Sequence, residues 1–366
     1  MIPCATDVDS LVGSLSEDDP IGAALGQDWQ RSYGRLRHGD EARATLVYEH
    51  PQAEPVLVEI EAGQARMQPM RADPALPTLS AALDRHPMAQ VVRYRPGKRC
   101  TFAATRSDGR RAYFKTLADD RGSGIWDDAR DLAAVAARGE LDFTVAEPAA
   151  YDNETRTISH FALPGAPAWP VLFSAQGVPL AARIGTALGS LPASTLPCRL
   201  QFMATDQLRR SARYARQFAR LLPELHAPIE SFITLATQAH ARHPDGAARP
   251  IHGAPHPQQW LLGTRVRLVD FDRVGSGPVE LDAATFVAEL DFESLDDGLR
   301  ESLSATFLAA YAERVGGLDA ARLDLYRAHK HFAKAFKTAA AIRSDRRERS
   351  AQILAGAVAL AARWAA

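Results

Sequence analysis

Lys115 closes the run Tyr113-Phe114-Lys115, in which apolar and polar side chains alternate as they do along a β-strand. An ammonium in that place is either a solvated edge charge or a group that neutralises the phosphate oxygens of a nucleotide. Upstream, Arg95, Lys98 and Arg99 flank the turn Pro96-Gly97. A Gly-containing hairpin of this kind can bring backbone N–H groups and positive charge close to phosphates, although it carries no G-x-G-x-x-G pattern. Much later comes Ile251-His252-Gly253-Ala254-Pro255-His256-Pro257-Gln258-Gln259-Trp260, a polar, proline-stiffened loop. The apolar run Val266-Arg267-Leu268-Val269 then ends in Asp270-Phe271-Asp272. An Asp there either starts a turn or, with its neighbour and a loop amide, supplies hard oxygens to a divalent cation. Mg²⁺ needs only one or two protein oxygens when phosphate completes its shell. Asp282, further along, suits either a helix cap or an anchor that ties the loop down.

Positioning these groups needs both sheet and helix. The pieces 44–49 and 56–60 read as strands around a Pro-containing turn. The pieces 91–95, 99–103 and 111–116 read as an antiparallel meander, joined by Pro96-Gly97 and by Asp108-Gly109, a strong hairpin signal. Residues 127–138 predict a helix capped by Asp127, and 143–145 and 157–161 predict strands before the break Leu163-Pro164-Gly165. Beyond it, helical spacing covers 181–188, 206–222, 230–242, 298–314, 319–342 and 350 onward, with one strand-like island at 260–270. Sheet first and helices after, with an embedded hairpin, predicts a two-lobed α+β fold.

Composition limits the function. Forty-three Lys+Arg against 44 Asp+Glu leave a net charge of −1 across 366 residues, which gives no global grip on nucleic acid or an anionic membrane. Cys4, Cys100 and Cys198 are too few and too scattered for a Cys₄ zinc site or a disulfide framework, and fit a reducing cytoplasm. The acidic start (Asp7, Asp9, Glu17, Asp18, Asp19) is unlike a signal peptide, and the apolar stretch 353–362 is too short to span a bilayer. Arg209, Arg210, Arg213, Arg216 and Arg220 give one helix a basic face, and Arg343, Arg346, Arg347 and Arg349 form a second run. Solvated surface is the favoured reading of both, with attraction of an acidic substrate or protein partner as the alternative. Leu325, Phe332 and Phe336 lie at core spacing.

Taken in order, the strand Lys, the His-Gly loop, the amide, the Asp-Phe-Asp and the Gly277-Pro278 turn leading to Asp282 resemble the aminoglycoside phosphotransferase and choline kinase-like family. That family has a protein kinase-like fold, and the likeness runs from about 91 to 284. It implies a small antiparallel β-rich nucleotide-binding lobe over 1–164, with 1–88 as an N-terminal extension of it. A mostly helical lobe then covers 165–366 and contains the loop segment 251–284. Lys115 would contact the α- and β-phosphates of ATP, the turn from Arg95 to Arg99 would cover the triphosphate, and the stretch from Phe161 to Gly165 would be the adenine-holding hinge. His252 would orient the catalytic loop, Gln259 would stand where the family has a metal-binding Asn, and Asp270 would be the main Mg²⁺ ligand with Asp272 beside it. The acid paired with Lys115 would lie on the 127–138 helix, Asp131 first, Asp127 or Asp128 otherwise.

One position departs from the pattern. Where the family reads His-Gly-Asp, this chain reads His252-Gly253-Ala254, and the missing Asp is the one expected to accept the proton of the substrate hydroxyl. General-base help is worth about 10²–10⁴ in rate, or roughly 3–5 kcal/mol of barrier. Nucleotide and metal binding would survive, while turnover on a small-molecule or peptide hydroxyl would be severely slowed. Three explanations stand: a residue replaced to trap an inactive enzyme, a natural pseudokinase that scaffolds a partner protein, or His256 as a substitute base. Few acids precede Asp270, which points away from a polycationic aminoglycoside as acceptor.

Overall fold

The computed structural model describes residues 8–17, 19–38 and 42–366. Cys4, Asp7 and Asp18 lie outside them. Helices α1 (Val8–Glu17) and α2 (Pro20–Leu25) precede strands β1 (Gln30–His38), β2 (Ala42–His50), β3 (Ala53–Glu61) and β4 (Gln64–Pro69), which pair in chain order as an antiparallel meander. After α3 (Leu79–Asp84), strands β5 (Gln90–Arg95), β6 (Arg99–Thr105) and β7 (Arg111–Leu117) begin a second sheet. Helix α4 (Gly122–Ala137) and the short strand β8 (Thr144–Val145) intervene. Strands β9 (Pro148–Asp152) and β10 (Thr157–Phe161) then complete a five-stranded sheet in the order β5-β6-β7-β10-β9, with β10 beside β7.

The rest is mainly helical. Helices α5 (Trp169–Leu172), α6 (Gly177–Leu188), α7 (Ala204–Leu221) and α8 (His226–Arg242) lead to four short strands: β11 (Arg249–Ile251), β12 (Trp260–Leu261), β13 (Arg267–Leu268) and β14 (Gly275–Gly277). Helices α9 (Glu280–Asp291), α10 (Asp297–Val315), α11 (Ala320–Ala339) and α12 (Arg346–Ala365) follow. The expected hairpin is β12–β13, and β13 also pairs in parallel with β8, so the site-bearing segment is tied to the chain just before β9. No helix among the described residues is long and apolar enough to cross a membrane.

Three features differ from the sequence expectation. Helix α4 starts at Gly122 and not at an Asp127 cap; Asp127 is exposed within it. The Gly-Ser-Gly start has poor helix propensity, but Ile125 and Trp126 pack with Leu117 and Ile158, and Gly122 lies where a Cβ would come within 2.8 Å of the Tyr151 ring. Secondly, residues 30–69 form a sheet of their own and not a mere extension of the small lobe. Leu46, Val47 and Tyr48 in β2 are all fully buried, so both faces of that sheet need cover. One face, with Leu36, Leu46, Val58 and Ile60, joins Phe218, Phe232, Phe332, Phe336 and Leu354 of the C-terminal helices. The other, with Val47 and Leu57, joins Met70, Leu76, Tyr94 and Phe102 of the small lobe. Thirdly, the basic run near the C-terminus is not wholly solvated. The Arg346 side chain is 2% exposed, pairs with Asp9 at 2.5 Å and donates to the Ala339 carbonyl at 3.1 Å.

Phe332 is the centre of the larger core, stacked on Phe232 with ring centroids 4.3 Å apart and 6.0 Å from Phe218. Phe332→Ala is expected to cost about 3–5 kcal/mol in urea unfolding, through lost burial and an unfilled cavity. A loss under about 1 kcal/mol would show that the sheet and the C-terminal helices do not share one core.

Candidate active site

Along β7 the alternate side chains Ala112, Phe114 and Thr116 are buried, and Lys115 emerges on the opposite face, toward the segment after β13. Its Nζ lies 2.9 Å from Asp270 Oδ1 and 2.5 Å from Asp272 Oδ1. Arg99, from the neighbouring strand β6, donates to Asp272 Oδ2 at 2.6 Å and lies 3.8 Å from Asp270 Oδ2. Two cations from the small lobe thus face two carboxylates from the helical lobe. Burial alone would raise the Asp270 carboxyl, but Lys115 and Arg99 outweigh it and hold its pKa well below the usual range. Asp270 adopts φ 70°, a left-handed conformation uncommon for a residue with a Cβ. Lys115 and Gln259 hold its carboxylate from two sides, and Phe271 wedges between Phe143 and His252, its ring centroid 6.0 Å from the former and 4.5 Å from the latter.

The preceding loop is fixed by its backbone. Asp282, in the first turn of α9, accepts the N–H groups of His252 at 2.7 Å and Gly253 at 2.9 Å, so of its two possible roles it takes the anchor. Its full burial pushes the carboxyl up to about 7 despite those two donors. Gly253 has φ 76°, and a Cβ there would lie 2.3 Å from the Arg273 carbonyl oxygen, so only glycine fits. His252 is fully buried, and burial pushes its pKa down to about 4, leaving a neutral ring whose Nε2–H donates to the Val269 carbonyl at 3.3 Å. Gln259 spans the loop: its Oε1 accepts the His256 N–H at 2.6 Å, and its Nε2 donates to Asp270 Oδ2 at 3.2 Å.

A cavity of about 300 Å³ opens over this arrangement, lined by Arg95, Arg99, Gly253, Ala254, His256, Gln259, Asp270 and Asp272 among others. Ala254 presents only a methyl group to it. His256 has both ring nitrogens engaged: Nδ1 accepts the Gln258 N–H at 3.2 Å and Nε2 meets Glu289 at 3.0 Å. Phe161 lies off this cavity at the end of β10, its ring covered by the Arg110 guanidinium at 3.2 Å. The following link between the lobes passes through Gly165, at φ 120° and packed against the Leu262 carbonyl. The expectation that Asp131 pairs with Lys115 does not hold. Asp128 and Asp131, one turn apart on α4, are both taken by Arg199, at 2.6 and 2.8 Å, while Asp127 points to solvent. The strand lysine instead turns to the two acids of the helical lobe.

Among the described residues no group of three or more His, Cys, Asp or Glu side chains is placed to hold a metal ion by itself. Mg²⁺ shared with phosphate needs fewer. The Asp270 and Asp272 carboxylates, each with one oxygen converging on the same Nζ, fit such a cation. Gln259 fits less directly, because its carbonyl oxygen is already accepting from the His256 backbone. Of the far wall of the cavity, sequence reading named only Arg210 of α7, as part of a basic helix face, and missed Arg273 after β13, Glu289 of α9, and Lys330, Lys334 and Lys337 of α11. The signal was there in part. Lysines at i, i+4 and i+7 share one helix face, as do Arg210 and Tyr214.

Comparison with known proteins identifies the family and the fold. Residues 127–326 match the model of a family described as the phosphotransferase enzyme family, more than half of the chain. No curated protein matches the sequence. Among solved structures, choline kinase LicA from Streptococcus pneumoniae superposes with a TM-score of 0.53 at 12% identity, over 73% of this chain and 92% of that one. Aminoglycoside-3'-phosphotransferase of type VIII gives a TM-score of 0.52 at 24% identity, over 71% of this chain and 99% of its own. Amicoumacin kinase hAmiN gives 0.58 at 12% identity, over 76% and 93%. At these identities the structures establish a shared protein kinase-like fold, and the sequence model establishes the family. The chain belongs to the phosphotransferase enzyme family of aminoglycoside and choline kinase type.

Proposed function

We propose that this protein binds ATP with Mg²⁺ between its lobes and is built to transfer phosphate to a hydroxyl of a small molecule or peptide, in a form whose turnover is strongly reduced by Ala254. The observation that carries the reading is the meeting of Lys115 with Asp270 and Asp272, 2.9 and 2.5 Å apart across the junction of sheet and helices. Phosphoryl transfer is mainly a matter of positioning and charge neutralisation. Lys115 and Arg99 supply two donors for phosphate oxygens on the sheet side. Asp270 and Asp272 would hold the cation, whose chemistry is to neutralise charge on the transferring group. Gln259 keeps Asp270 in register, and neutral His252 supports the backbone that carries it. One solved neighbour, hAmiN, was determined with AMP-PNP, Ca²⁺ and Ami, which supports a nucleotide and a divalent ion in this fold.

The second reading, a nucleotide-binding module without catalysis that scaffolds a partner, is favoured by one local fact. Ala254 has no proton acceptor, and His256, two residues on, is bonded at both ring nitrogens, so the substitute-base explanation loses support. Calorimetry with AMP-PNP and Mg²⁺ should give saturable binding that weakens at least tenfold in both Lys115→Ala and Asp270→Ala. Unchanged affinity in either variant would remove the site from this cleft. Ala254→Asp should raise ATP consumption by about 10²–10⁴ in the presence of an acceptor. If nucleotide binds but that variant transfers nothing across broad acceptor screens, the scaffold reading prevails.

Stability should follow pH through His252. Its folded pKa of about 4 lies below its ordinary 6.5, so the unfolded chain binds the proton more tightly between those values. The stabilisation is complete above pH 6.5 and is lost as pH falls toward 4, by about 3 kcal/mol from this residue. His252→Gln should therefore show a shallower fall in Tm over that window than the unsubstituted protein. Parallel curves would mean that the ring is not held neutral.

A further inference from the structure

The cavity wall carries more positive charge than nearby acids balance, although Glu289 acts on Lys334 and Lys337, and Asp282 on Lys330, through space. Among the described residues, Arg95, Arg210, Arg273, Lys330, Lys334 and Lys337 line it, and none makes an ion pair with a carboxylate. Arg210 touches only the Tyr214 hydroxyl at 3.2 Å and its ring. Arg273 lies over the Phe202 ring at 4.9 Å, with its Nε buried and lacking any hydrogen-bond partner. Lys334 lies over the Phe292 ring at 4.7 Å. The three acids on the same wall are already engaged: Asp270 and Asp272 by Lys115 and Arg99, and Glu289 by His256 at 3.0 Å.

Holding like charges this close costs stability, and the cost shows on Lys330. Burial, followed by Arg210, Arg273 and Lys337, pushes its ammonium down to about 7. The cations come from separate elements, α7, α11 and the segment after Asp272, and their stripes turn inward to one space. A solvated basic face would turn outward, with the charges far apart. The wall also adjoins Gly253 and Ala254, where an accepting hydroxyl would lie. A polycationic acceptor would be repelled from such a wall, and a neutral one would leave the buried Arg273 Nε–H without a partner.

We propose that the ligand on this side of the cleft is a small polyanion, carrying two or more phosphate, sulfate or carboxylate groups, bound by Arg210, Arg273 and the Lys330, Lys334 and Lys337 stripe. That it is the phosphate acceptor rests on the function proposed above; that an anion binds there does not. The triphosphate itself is served by Lys115 and Arg99, from different strands of the opposite lobe.

The test titrates fructose 1,6-bisphosphate and inositol hexakisphosphate into the full-length protein saturated with AMP-PNP and Mg²⁺. Saturable binding that weakens with added salt is expected, with no binding of fructose or unphosphorylated inositol. Lys334→Gln/Lys337→Gln and, separately, Arg210→Gln should each weaken the polyanion at least tenfold while AMP-PNP affinity changes less than threefold; melting curves confirm folding. Equal weakening of polyanion and AMP-PNP would mean that these cations serve the nucleotide, and would overturn the proposal. So would failure of the polyanions to bind with nucleotide in place, or retention of binding in both variants. Polyanion binding that the variants abolish, in a protein that binds no AMP-PNP, would support the anion site and overturn the kinase reading.

Discussion

A charge pairing across the gap between sheet and helices governs this molecule. Lys115 and Arg99 stand on adjacent strands of one lobe, and Asp270 and Asp272 on a turn of the other, separated by more than 150 residues of chain. Removing either side would leave charge in a partly desolvated place, which is far more costly than losing an exposed ion pair. Much of the surrounding architecture keeps those groups at bonding distance. The β8–β13 pairing ties the acidic turn to the chain beside the five-stranded sheet, Phe271 fills the space between Phe143 and His252, and Gln259 links Asp270 to the loop before it. The left-handed backbone at Asp270 is sustained by these contacts and not by local preference.

The loop that holds Ala254 keeps its shape without help from that residue. Asp282 accepts two backbone donors, Gly253 occupies a position closed to any side chain, and the Gln259 carbonyl caps His256. Each of these acts through the main chain or through neighbouring side chains. An alanine in the middle therefore leaves the scaffold and the facing carboxylates in place. On the proposed reading, nucleotide binding and turnover would depend on different atoms, so a loss of one would not entail a loss of the other.

The N-terminal sheet adds a third layer to a two-lobed plan. Because β2 is buried on both faces, the sheet packs against the small lobe on one side and against the C-terminal helices on the other. That bridge restricts the freedom of the lobes to shift against each other, since any rotation must shear a close-packed core. It also places α11 and α12 firmly behind the cleft, and α11 carries the lysine stripe.

Sequence alone determined what depends on neighbours along the chain. Asp108-Gly109 and Pro96-Gly97 specified hairpins, the β-rich runs around 46 and 58 specified strands, and helical spacing located the long helices to within a few residues, because each rests on local backbone preference and periodicity. The loop of 251–259 and the Asp-Phe-Asp turn were conspicuous for the same reason: their chemistry is compressed into short spacings. Strands β1 and β4, with the sequences QRSYGRLRH and QARMQP, have no such signature and exist because partner strands satisfy their hydrogen bonds. The start of α4 at Gly122 was decided by packing on Tyr151, and the partner of Asp131 by the position of Arg199. Whether a basic helix face looks to water or into a cavity depends on the rotation of that helix against the others, which its own residues leave open. Tertiary structure made that choice for Arg210 and for the lysines of α11, because only the assembled core fixes which way each stripe faces.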